Sequence, residues 1–214
     1  TGEINTAIVV GRMLKNSTVE NCHTTGTSSV KSTTMDLGGL VGYNSNGMIT
    51  RCSNAAQVEG SAAIGGIVGL NLSIVSACTN SGAVSADVAA GGMVGANYGD
   101  VIACGNTGTV SGITNVGGIV GQYSEGNVTA SWTQDTNEKD NDGKAPSTEN
   151  GVGNEASDCI ITDCYVFSET SDVTGSISKM NTAIEEYNSK ASVKCLYRWE
   201  AVTDGYPTLK TVTE

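Results

Sequence analysis

The sequence predicts an all-β protein: a right-handed parallel β-helix, a three-sided solenoid of coils about 26 residues long, closed by a C-terminal α/β cap. Three observations lead there. A glycine signature recurs at fixed spacing, columns of cysteine and asparagine recur in register with it, and the chain holds very few large aromatics.

The signature reads Gly38-Gly39-Leu40-Val41-Gly42, Gly65-Gly66-Ile67-Val68-Gly69, Gly91-Gly92-Met93-Val94-Gly95 and Gly117-Gly118-Ile119-Val120-Gly121. Its final glycines stand 27, 26 and 26 residues apart. A fixed period of this length marks units that bury their apolar faces only against their neighbours. Paired glycines suit a corner that needs positive φ, or a close approach of backbones.

Each signature is followed by a turn, a β-branched residue and, three residues later, a cysteine or its substitute. The pairs are Val19/Cys22, Ile49/Cys52, Val75/Cys78, Val101/Cys104, Val128/Ser131 and Ile161/Cys164. Two residues on stand Asn54, Asn80 and Asn106, and four further on Val58, Val84 and Val110. The coil thus offers three short β-rich segments between Gly, Asn and Ser turns. Stacking at about 4.8 Å places equivalent side chains in ladders, Leu40-Ile67-Met93-Ile119 among them. The Asn column is where amide-to-amide bonding would hold a turn.

The repeat loosens at both ends. Ala7 to Gly11, with Val19 and Cys22, reads as an imperfect first coil, and a longer loop (24–35) precedes the second. Residues 134–150, rich in Asp, Glu, Asn and Lys, read as an excursion loop, after which Gly151-Val152-Gly153, Ile161 and Cys164 form a last coil. The solenoid is therefore expected over residues 1–174 and the cap over 175–214. In the cap Ile177, Met180, Ile184 and Tyr187 fall at helical spacing, with Ser176 or Ser178 to start the helix. The aromatic-rich stretch with Leu196, Tyr197, Trp199, Tyr206 and Leu209 is expected to cover the open end of the last coil.

Composition limits partners. Only 5% of residues are aromatic, so the core must be built from small β-branched residues in layers. With 22 carboxylates against 11 basic residues the net charge is −11, which disfavours nucleic acid and anionic membranes. No apolar run is long enough for a membrane span, so no membrane insertion is expected. The start at Thr1-Gly2-Glu3 reads as that of a mature or trimmed chain whose leader has been removed.

The Gly-Gly-[Leu/Ile/Met]-Val-Gly signature at this spacing resembles the GLUG-motif family, over about Ala7 to Val166. Such repeats occur in surface proteins of anaerobic gut bacteria and in large immunoglobulin A1 peptidases. Arg198-Trp199 and Gly205-Tyr206-Pro207 are similar to segments that follow such repeats. The resemblance implies an exported, adhesin-like protein, extracellular or on a bacterial cell surface, whose repeat is not itself catalytic.

Of the residues able to do chemistry, Cys52, Cys78 and Cys104 share their column with Cys22 and Cys164 and read as a buried ladder of small hydrophobes. Their spacing does not supply zinc pairs, and stacked Cβ atoms about 4.8 Å apart exceed disulfide reach. Cys159 and Cys195 stand outside the column and are free to pair. His23, the only histidine, reads as a turn residue. Glu138, Asp140, Asp142 and Glu149, with Gly143, match a calcium-loop pattern but lack its leading Asp and flanking helices; a solvated loop is the other reading. No cofactor beyond that calcium is indicated. The carboxylates of the regular coils, Glu59, Asp87, Asp100 and Glu125, fall on different segments, so no paired acid–base site emerges. The expected function is a non-catalytic module presenting a rigid surface to a glycan or protein. A carbohydrate-active β-helix enzyme and a passive spacer in a larger exported protein are the alternatives.

Overall fold

A computed structural model describes residues 4–33, 35–134, 151–155, 160–167, 173–202 and 205–212. The chain winds as a parallel β-solenoid of about five turns, with one helix near the C-terminus. The coil after Gly65 shows the pattern. Val68–Asn71, Ile74–Ser76, Thr79–Asn80 and Val84–Gly91 follow one another, each joining a different parallel stack. Successive coils pair in register, Val68 with Val94, Val75 with Val101, Asn80 with Asn106 and Val84 with Val110.

Each central coil contributes four hydrogen-bonded strands where the sequence predicts three. The additional strand is only two residues long, Ser53–Asn54, Thr79–Asn80 or Gly105–Asn106. Two residues carry no alternation of polar and apolar side chains, so no periodicity reveals them. The strands that lead into the later signatures are in turn long, up to the nine residues of Gln57–Gly65, and bend two residues before their ends, at Ala63, Ala89 and Asn115.

The bends are made by residues other than glycine. Asn5, Asp36, Ala63, Ala89 and Asn115 form one column of left-handed residues, and Asn21, Arg51, Ala77, Ala103, Ala130 and Asp163 form another, all at φ between 47° and 59°. Asn and Asp tolerate this region because their short polar side chains bond locally. Alanine has no such compensation and is held there by the ladders on both sides. Among the described glycines only Gly126 and Gly151 have positive φ.

The interior divides into two apolar clusters. One stacks Leu40, Ile67, Met93 and Ile119 with the Val41 and Ile49 columns and the cysteines. The other gathers Leu37, Ile64, Ala90 and Val116 with Val58, Val84 and Val110. Leu40, Ile67, Met93 and Ile119 are completely inaccessible, so an aliphatic ladder replaces the aromatic core of a conventional domain.

The helix spans Val173–Lys190 and is followed by an antiparallel pair, Tyr197–Val202 with Gly205–Thr211. It starts earlier than the sequence predicts, so Ser176 and Ser178 lie inside it and cap nothing. The tail lies along the flank of the solenoid, where Met180, Ala183, Ile184, Cys195 and Trp199 pack with Ile102, Ala103, Ala130 and Trp132 and with Phe167 of the last coil, Ile74 and Tyr165 lying at the margin. The cause is a change in an outward row. Thr50 and Ser76 are followed in register by Ile102, and the neighbouring row presents Trp132 beyond Gly105. These outward apolar groups need cover from the side.

Candidate functional site

Two buried amide ladders hold the turns in register. In the expected ladder Asn54 Nδ2 donates to Asn80 Oδ1 at 2.8 Å, and Asn80 Nδ2 to Asn106 Oδ1 at 2.8 Å. Thr24 caps one end and Thr133 the other, through Oγ1 at 3.2 Å from Asn106 Nδ2. Each amide also closes its own turn, as Asn80 does with the carbonyl of Gly82 and Asn54 with that of Ala56. Sequence reading missed a second ladder, Asn44 to Asn71 at 2.9 Å and Asn71 to Asn97 at 2.8 Å. Its signal was present: each of these asparagines stands two residues after the last glycine of a signature. In the next coil Tyr123 takes the place of asparagine, donating from its hydroxyl to the Gly126 carbonyl at 2.6 Å and accepting the Ile160 amide at 3.1 Å.

The ladders explain the signature. A Cβ on Gly66 would lie 2.2 Å from the Gly92 carbonyl oxygen and 2.4 Å from the Asn80 carboxamide carbon. Gly42, Gly69, Gly95 and Gly121 are equally constrained, each facing a left-handed bend of the preceding coil. A Cβ on Gly69 would sit 2.4 Å from the Leu37 nitrogen, and one on Gly95 2.3 Å from the Ala63 carbonyl carbon. Here glycine serves close approach rather than positive φ.

Cys52, Cys78 and Cys104 are buried, unbonded thiols that donate to the carbonyls of Thr50, Ser76 and Ile102 at 3.1, 3.2 and 3.4 Å. Burial pushes Cys78 well above the ordinary thiol range, and Cys164 to about 12. Cys195 is also a free, buried thiol, raised to about 12; Cys159 lies outside the described residues. His23 is exposed, its Nδ1 2.8 Å from Ser53 Oγ and its Nε2 3.3 Å from Asn21 Oδ1. Glu138, Asp140, Asp142 and Glu149 lie outside the described residues. Among the described residues no three His, Cys, Asp or Glu side chains are grouped to hold a metal.

Two outer grooves bring polar groups together. The larger, about 380 Å³, runs between the last turns of the helix and the outer face of the solenoid, with Asp100, Asn127, Thr129 and Thr162 on one side and Glu186, Tyr187 and Lys190 on the other. Asp100 ties its two walls. One of its oxygens accepts the Asn127 backbone amide at 3.1 Å and Asn127 Nδ2 at 2.8 Å, while the other accepts the Tyr187 hydroxyl at 3.0 Å. Burial, with the negative Asp100 beside it, pushes the Tyr187 phenol far above its usual range. The smaller groove, about 230 Å³, is lined by Lys31, Ser32, Thr33, Glu59, Ser61 and Asp87. There Lys31 pairs with Glu59, and Ser61 donates to Asp87 at 3.3 Å. The sequence scatters these carboxylates along the chain; the coil period brings Glu59 near Asp87, and the returning helix brings Glu186 near Asp100.

No curated protein and no solved structure matches the chain. The family model described as the GLUG motif matches residues 33–59. That segment holds the first complete signature and the coil through Asn54 and Val58, the unit that stacks in register with its successors. The chain carries a GLUG motif at residues 33–59, within a repeat that folds as a parallel β-solenoid.

Proposed function

We propose that this chain is a non-catalytic, exported, adhesin-like module that offers a rigid solenoid surface to extracellular glycans or proteins. The observation that carries this reading is the pair of buried amide ladders. Their bonds run from coil to coil, so the outward rows of Ser, Thr, Asn and carboxylate side chains keep a fixed spacing. A surface already ordered loses little conformational freedom when it binds, which favours polar ligands held by many modest contacts. The test is a glycan array probed with the intact chain, beside a pull-down of extracellular matrix proteins. Saturable binding to one glycan or protein class is expected; binding to neither supports the passive spacer.

A second reading has its own observation. Glu59 with Asp87, and Asp100 with Glu186, line shared grooves, and paired carboxylates are the equipment of glycoside-cleaving enzymes. In the larger groove Asp100 already accepts three hydrogen bonds, which tie it to both walls as a fixed structural acceptor. Release of reducing ends from polysaccharides, lost in Asp100→Asn and Asp87→Asn variants, would establish the enzyme instead.

A further inference from the structure

We infer that the groove between the helix and the outer face of the solenoid is a subsite for one neutral hexopyranose unit of a glycan. The inference rests on the glycan form of the reading above. Its volume, about 380 Å³, is at the small end of ligand pockets and suits one or two sugar rings.

The lining matches the chemistry of a neutral sugar. Asn127 gives one carboxamide hydrogen to Asp100, which leaves the amide oxygen as an acceptor and the second hydrogen as a donor. The Tyr187 hydroxyl donates to Asp100 and keeps its lone pairs. Thr129 and Thr162 add hydroxyls, each able to donate and accept, and the Lys190 ammonium adds donors. Ile160, Ala183 and Ala191 add an apolar strip against which the C–H face of a ring can lie.

Charge sets the class. Two carboxylates, Asp100 and Glu186, face one ammonium, Lys190. Tyr187 and Lys190 lie in the last turn of the helix and Ala191 directly follows it, where the backbone dipole is negative. A sialic acid or a sulfated sugar would be repelled, and a neutral hexose would not.

The experiment has two arms. In the first, backbone amide shifts of the intact protein are followed while methyl glucoside, galactoside, mannoside, N-acetylglucosaminide and, separately, N-acetylneuraminic acid are added. Changes confined to Thr129, Thr162, Tyr187 and Lys190 with a neutral sugar are expected. In the second, Ala191→Trp fills the groove from its rim, and its array binding should fall roughly tenfold or more. Shift changes elsewhere, or unchanged array binding by Ala191→Trp, would overturn the groove while leaving glycan binding standing. A response to N-acetylneuraminic acid alone would overturn the neutral class. No array binding by the intact chain would remove the glycan reading and the subsite together.

Discussion

The indole Nε1 of Trp199 donates to the backbone oxygen of Ala130 at 2.6 Å, joining residues 69 apart in the chain. Ala130 is a left-handed bend residue of the solenoid, and Trp199 is a buried anchor of the C-terminal strand pair. Trp132 lies against the same indole, edge to face at 6.0 Å, and stacks on Tyr206 at 5.1 Å. Trp199→Phe keeps the ring and loses the bond, leaving a buried carbonyl without its partner, at a cost of about 1–3 kcal/mol. Trp199→Ala should cost about 3–5 kcal/mol. Urea unfolding followed by circular dichroism checks both, and equal midpoints for the two variants would show that the ring contributes nothing.

Gly66 and Gly175 make a matched test of space. Replacing Gly66 with alanine drives a Cβ into the Gly92 carbonyl and the Asn80 amide, so it should cost at least about 3 kcal/mol or prevent folding. Gly175 lies in the helix with nothing within 4 Å of an added Cβ. Gly175→Ala should therefore stabilise, by up to about 1 kcal/mol. Thermal melts decide, and similar shifts for both would contradict close approach as the reason for the signature.

The amide ladder predicts an order among substitutions. Asn80→Ala removes the partner of Asn54 and of Asn106 and opens the turn at Gly82, for about 2–4 kcal/mol. Asn80→Asp brings a buried charge into the same place and should be worse. Denaturant midpoints falling in the order wild type, Ala, Asp are expected; an aspartate variant as stable as wild type would mean that the ladder position reaches water.

Alkaline pH should destabilise the protein through two of its buried thiols, Cys164 and Cys195. Cys164 is raised from an ordinary 9.0 to about 12 in the folded chain, by burial, and Cys195 likewise. Between those values the unfolded chain has released protons that the folded chain retains, so stability falls as pH rises. The stabilisation is intact below pH 9 and is lost through about 12, with each raised unit worth about 1.4 kcal/mol per thiol. Melting temperature against pH should drop steeply in that window, and less steeply in Cys164→Ala. An identical drop in the variant would place the titration elsewhere, with Tyr165, itself raised to about 12, the next group to replace.

What the sequence determined by itself was the period and everything that repeats with it. Leu40, Ile67, Met93 and Ile119 fall in one ladder because stacked parallel strands superimpose equivalent positions, so spacing alone assigns them to one column. The same logic found Asn54, Asn80 and Asn106, and it would have found Asn44, Asn71 and Asn97 had the residues after each signature been aligned as well. Tertiary structure decided whatever leaves no residue pattern in the repeat, and whatever has a single copy. Two-residue strands show no alternation, and the left-handed bends are made by residues as unlike as Arg51, Ala77 and Asp163, so neither leaves a pattern in the chain. The larger groove exists because the helix returns to Asp100, a residue 87 positions before Tyr187, and no repeat encodes that distance. The apolar content of the tail showed that it must be buried. Which surface receives it depended on Ile102 and Trp132 facing outward, a fact about side-chain direction that only the folded coils could fix.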